Sequence, residues 1–146
     1  MESTTAADRA EELLTGWIAL WNGDYAAATD LIAPDFTVHA AMFDGGDGGG
    51  IRGPRGVVDW IARIRAAFSE LVFHVEVGPI VDGCLSALRW IATGTYGGGF
   101  PGATAPEGTS ISFTGTDTLR LEDGALAEYW LNSDVHVLLA QLGVQF

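Results

Sequence analysis

A carboxylate, an imidazole and a phenol in this chain have both the chemistry and the setting for proton transfer: Asp117, His39 and Tyr129. Asp117 is the sharpest of the three. Over residues 110–121 the sequence alternates, so that Ile111, Phe113, Gly115, Leu119 and Leu121 share the face of Asp117, while Ser112, Thr114, Thr116, Thr118 and Arg120 share the other. A carboxylate on the dry face of a strand must be hydrogen-bonded, line a cavity, or hold a proton near neutral pH, because an unpaired buried charge is very unfavourable. Desolvation raises its pKa, which suits a general acid or a hydrogen-bond donor to a developing enolate. A carboxylate bonded to backbone or to a tyrosine, with no reaction attached, satisfies the same condition.

His39 lies in a strand-like run, residues 36–42, where alternation places it with Thr37 and Ala41. It is the one side chain of that run that titrates near neutrality, and so a candidate base; the competing reading is an ordinary, partly buried histidine. Tyr129 and Tyr96 each offer a phenolic donor to a substrate carbonyl or to Asp117, with Tyr129 preferred. The chain has five tryptophans, at 17, 21, 60, 90 and 130, more than a core of this size needs. With Phe43, Phe68, Phe100 and Phe113 they suggest a cavity walled by flat rings and suited to a large, flat or polyene-like guest. Trp17, Trp60, Phe68, Trp90, Tyr96 and Phe113 are the expected substrate contacts. No spacing of His, Cys and carboxylates matches a metal site, and neither glycine-rich segment carries a phosphate-binding motif, so no metal and no cofactor are expected.

These groups need one domain to position them, and 146 residues supply one with room for a pocket. Seven Lys and Arg against 19 Asp and Glu give a formal charge of −12, which makes nucleic acid, anionic membrane and phosphorylated substrates poor partners. The single cysteine, Cys84, has no basic neighbour and reads as a packed thiol. The first residues are acidic and polar, unlike a secretory signal, and no apolar stretch approaches the roughly 20 residues that span a bilayer, so a cytoplasmic protein is expected.

Helical spacing predicts a first helix over residues 5–21, a short second one from about residue 24 to Pro34, and a third over 54–69 with Val57, Trp60, Ile61, Ile64 and Phe68 inward and Arg63 outward. Four strands are expected over 71–81, 84–96, 110–121 and 125–132, with tight turns at Asp82-Gly83 and Asp123-Gly124, and a last helix over 134–142. The glycine-rich segments 43–56 and 97–109 read as flexible lips of the pocket. Helices first and long antiparallel strands afterwards point to an α+β domain in which a curved sheet wraps the helices as a conical barrel around an apolar pocket.

The segments ALRWIATGTYGGGF, FTGTDTLRLEDGALAEYW, NSD and LLAQLG, set in that element order, resemble the SnoaL-like polyketide cyclase branch of the nuclear transport factor two-like superfamily, whose cone-shaped fold ketosteroid isomerases share. The resemblance runs from about Glu11 to Gly143. It implies that Asp117 stands where ketosteroid isomerases place an acid that stabilises the dienolate oxygen, and where such cyclases place a catalytic histidine. It turns Tyr129 and Leu131 towards the cavity, making Leu131 a further substrate contact. The general base of aldol cyclases would fall at Leu131 and that of the isomerases at Ala40, neither of which accepts a proton. Epoxide hydrolases of this fold use an Arg-x-Asp pair, of which Arg89-Trp90-Ile91 keeps only the arginine. A homodimer formed through the sheet is also implied.

The function expected from these residues is a cofactor-independent cyclase that folds a hydrophobic, polyketide-derived intermediate into a ring by aldol, epoxide-opening or cycloaddition chemistry. The alternatives are a non-catalytic binder of small apolar ligands, an interaction module using the outer sheet face, and an enzyme of the ketosteroid isomerase or epoxide hydrolase type.

Overall fold

The computed structural model describes residues 6–42 and 45–145. Helix α1 (Ala6–Trp21) and the single turn α2 (Ala28–Leu31) lead into strand β1 (Ile32–His39), followed by helix α3 (Gly53–Arg65). Strands β2 (Phe68–Asp82), β3 (Leu85–Tyr96), β4 (Ser110–Glu122) and β5 (Ala125–Ser133) come next, and helix α4 (Val135–Gln141) ends the chain. Every expected element is present.

The five strands form one mixed sheet in the order β1-β5-β4-β3-β2, antiparallel except where β1 runs parallel to β5. This is the α+β architecture expected, with one difference: the sheet stays open rather than closing as a barrel, β1 and β2 forming its edges. Shifts of register in β2 near Val75, Val77 and Ile80, and in β4 and β5 near Leu121, are the kind of bulge that bends a sheet. The helices pack against the sheet, α1 on β2, α3 on β1 and α4 on β4.

Alternation decides which side chains turn inward. In β4, Ile111, Gly115, Asp117 and Leu119 are buried, while Ser112 and its even-numbered neighbours up to Arg120 are exposed or half-exposed. In β3 the buried set is Ser86, Leu88, Trp90, Ala92 and, at its end, Tyr96. Helix α1 inserts Leu13, Leu14, Trp17, Leu20 and Trp21 into the space these strands enclose.

Three local readings differ. β1 starts at Ile32 and carries Pro34 inside it, because on an edge strand the missing N–H of proline costs no ladder bond. The third helix stops at Arg65 and β2 takes over at Phe68, so Phe68 reaches the pocket from a strand. Cys84 is an exposed turn residue instead of a packed thiol, since Gly83-Cys84 is where the chain reverses between β2 and β3.

Candidate active site

Asp117 is 2% exposed and holds three donors. The indole N–H of Trp17 reaches its Oδ2 at 2.9 Å, the indole N–H of Trp90 its Oδ1 at 2.9 Å, and the phenol of Tyr129 donates to Oδ1 at 2.8 Å. Four elements therefore meet at one carboxyl: α1 through Trp17, β3 through Trp90, β4 through Asp117 itself and β5 through Tyr129. The Trp17 and Tyr129 rings also meet edge to face, 4.7 Å between centroids.

Burial and hydrogen bonding act on Asp117 in opposite directions. Desolvation is the larger effect and carries its pKa from 3.8 up to about 6, while the bonds from Trp17, Trp90 and Tyr129 hold it lower than burial alone would. Three donors and no acceptor at the carboxyl fit the ionised form. Tyr129 is pushed the other way from use as a base: desolvation first, then the neighbouring Asp117 charge, raise its pKa well above 10, so it remains a donor.

The carboxyl opens on a cavity of about 770 Å³, within the size range of small-molecule sites. Asp117, Tyr129, Trp60, Phe68, Trp90, Phe113 and Leu131 all line it. Leu131 lies directly across from Asp117 in the β4–β5 register, so the wall facing the carboxyl on that side is aliphatic. Phe100 and the Gly98-Gly99 pair contribute part of the rim from the segment between β3 and β4. That segment is tied down: Tyr96 accepts a hydrogen bond from the backbone of Phe100 at 3.0 Å, and Thr104 and Ala105 bond to the carbonyl of Leu142.

Three expected site residues lie elsewhere. Trp17 does not line the cavity; it stands behind Asp117 and supports the carboxyl from the core. Tyr96 is buried under the rim, where its hydroxyl anchors Phe100 rather than facing a guest. His39 is on the outer face of the sheet, because Phe36, Val38 and Ala40 take the inward positions of its run. Its ring stacks on Trp130 at 5.4 Å, and its Nε2 lies 2.6 Å from Glu128, which also accepts from Arg120. These contacts hold the Glu128 carboxyl below its usual range, His39 contributing most. The expectation that His39 serves as the pocket's base is thus not met. Phe43 lies outside the described residues.

Other liners escape a reading by strand alternation. Ile18 and Trp21 enter from α1, Arg63 and Ile64 from α3, and Phe73 from β2. The spacing of Trp60, Arg63, Ile64 and Ala67 is a helical i, i+3, i+4, i+7 stripe, and that signal was available; the charge on Arg63 masked it. Among the described residues no three His, Cys, Asp or Glu side chains cluster as metal ligands would, and no helix is long and apolar enough to cross a membrane.

The family model for SnoaL-like polyketide cyclases matches residues 11–142. The chain belongs to that family. Among solved structures it is similar to IdmH from Streptomyces antibioticus, a proposed polyketide cyclase, with 30% identity over 92% of this chain and 98% of that one and a TM-score of 0.76. AclR from Streptomyces galilaeus, a proposed hydroxylase, is 25% identical over 95% of this chain and 83% of its own, with a TM-score of 0.76. TsrD from Streptomyces laurentii, at 23% identity, shares the fold over 98% of this chain and 100% of its own with a TM-score of 0.78. No curated protein sequence matches the chain. Family membership supports a cyclase-like role for this SnoaL-like protein.

Proposed function

We propose that this protein is a cyclase that closes a ring in a hydrophobic, polyketide-derived intermediate by proton transfer through Asp117, using no cofactor. The observation that carries this reading is the buried carboxyl of Asp117, the one carboxylate lining the apolar cavity among the described residues. A pKa of about 6 lets it exist in both protonation states near neutral pH, which a group that must take and return a proton requires. The ionised carboxylate takes a proton from carbon; the electron pair released closes the new bond onto a carbonyl carbon; the protonated carboxyl returns its proton to the oxygen that becomes the alcohol. Trp17, Trp90 and Tyr129 fix the carboxyl's position, and the ring-lined wall holds the chain folded for closure. The role differs from the acid expected of a protonated Asp117, since the three donors favour the ionised form as the resting state.

Turnover of linear polyketide-type intermediates tests this, read as a change in chromatographic retention at unchanged mass. Wild type converts, and Asp117→Asn loses at least about 100-fold in kcat. Equal conversion by the two proteins removes Asp117 from the chemistry.

A second reading is a non-catalytic carrier of an apolar ligand. It is favoured by one fact: three donors from the protein already satisfy Asp117 without a guest. A carrier binds the same intermediates in wild type and in Asp117→Asn and converts none. We also infer a homodimer, supported by the apolar side chains left exposed along the β2–β3 hairpin, Val75, Val77, Ile80 and Leu85.

A further inference from the structure

Among the described residues two charged side chains line the cavity, and they have opposite signs and different depths. Asp117 is buried; Arg63 is exposed at the rim. Arg63 projects from α3 with Trp60 and Ile64, which also line the cavity. The chain has no lysine, and four of its seven arginines are engaged elsewhere: Arg9 with Glu12, Arg65 with the carbonyls of Trp21 and Leu71, Arg89 with Glu76, and Arg120 with Glu122 and Glu128. Arg63 makes no ion pair or hydrogen bond with a described residue, although Asp59 lies one helical turn before it. A guanidinium left without an anion at the edge of an apolar cavity is a preformed site for one.

We propose that Arg63 recognises a carboxylate at one end of the guest, so that the cavity takes an apolar monocarboxylic acid, laid with its carboxylate at the rim and its reacting carbon at Asp117. The polarity of the cavity sets that direction. An ionised Asp117 repels a carboxylate at the inner end, and Arg63 attracts it at the outer end. The overall charge of −12 opposes polyanions such as phosphates, whereas a single carboxylate meets that field only within a screening length of about 8 Å and then meets Arg63. A planar carboxylate also matches the two-pronged donor geometry of a guanidinium, which fits Arg63 better than a lysine would.

The inference rests on the cyclase reading of the same cavity, but binding alone tests it, so its failure is distinct from a failure of proton transfer at Asp117. The probes are linolenic acid and its methyl ester, titrated at neutral pH against the intrinsic fluorescence of Trp21, Trp60 and Trp90, which line the cavity. Wild type binds the acid about tenfold tighter than the ester. Arg63→Gln brings the two affinities together by weakening the acid and leaving the ester unchanged, Arg63→Lys restores part of the difference, and added salt narrows it in wild type. Because Arg63 is exposed, the variants fold, which their thermal melting confirms. Three results overturn the proposal: a wild type that binds neither probe, one that binds the ester at least as tightly, or an acid-to-ester ratio unchanged in Arg63→Gln.

Discussion

Trp90 and Gly115 are paired directly across β3 and β4, and the indole of Trp90 lies over the space that a side chain at position 115 would fill. The ring can therefore lie along the sheet and extend its N–H to Asp117, two residues further along β4. A glycine inside a strand is ordinarily a weak point, and here an aromatic neighbour covers it. The ring also meets Phe73 and Phe113 edge to face, at 5.1 and 5.4 Å between centroids, so its pose is fixed from three sides.

Gly115→Ala should act on the site through Trp90. A methyl group there collides with the indole, which must tilt away and release Asp117. We expect a loss of stability of about 1–3 kcal/mol from overpacking, measured by urea denaturation, together with a lower kcat. If the variant is as stable and as active as wild type, Trp90 is not held in this pose.

The apolar stripe on the β2–β3 hairpin gives a prediction about assembly. Ile80 is 61% exposed and Val77 49%, on the strand at the sheet's edge, where unpaired apolar side chains invite another surface. Light scattering after size exclusion should give twice the chain mass for wild type, and Val77→Glu with Ile80→Glu should shift it to the single chain. A wild-type monomer would end the dimer proposal.

Much of the fold was legible because burial and strand period agree. The alternation read in the sequence of β4 returns in the structure as buried Ile111, Gly115, Asp117 and Leu119 between more exposed neighbours, with Phe113 and Leu121 half-buried, and Asp117 stands out in both. What was not legible depends on depth and on faces that only the assembled sheet defines. Alternation places His39 opposite Phe36 and Val38 but cannot say which side faces the cavity, and the packing of α3 on β1 and of Trp17 against Phe36 decides it. Trp17 and Tyr96 read in the sequence as substrate contacts, yet whether a buried ring walls a cavity or stands behind it depends on distances of a few ångströms. The charge of Arg63 points to solvent, where the residue is indeed exposed, although a long side chain on a cavity-facing stripe can also reach the cavity.

The pH dependence of turnover should report Asp117. With the ionised carboxylate as the active form, kcat/KM should rise with pH through a limb near pH 6 and level off above it. Trp17→Phe removes the largest of the three bonds that stabilise the ionised form without altering the cavity wall, since Trp17 does not line it. The limb should therefore move to higher pH. A limb unmoved in Trp17→Phe, or a rate that falls as pH rises past 6, contradicts the base role.

The same shift has a consequence for stability that needs no substrate. The folded protein holds a proton on Asp117 up to about pH 6, whereas the unfolded chain releases it near 3.8, so between those values the folded state binds more protons. Asp117 therefore contributes most below pH 3.8, and its contribution is lost as pH rises through about 6. The isoelectric point near 4.3 favours working above it, and between pH 5 and 7.5 the loss is on the order of 1 kcal/mol. Glu128, with its carboxyl held low by His39 and Arg120, acts in the opposite direction, but it is present in both proteins and cancels when wild type is compared with Asp117→Asn. The amide also leaves one of the three donors unpaired, which lowers the variant's stability by a further 1–3 kcal/mol or so at every pH. The difference in unfolding free energy between the two proteins should accordingly shift by roughly 1 kcal/mol across that range, to the disadvantage of wild type as pH rises. A difference independent of pH would mean that Asp117 titrates as it does in the unfolded chain, and that its burial among Trp17, Trp90 and Tyr129 costs the charge nothing.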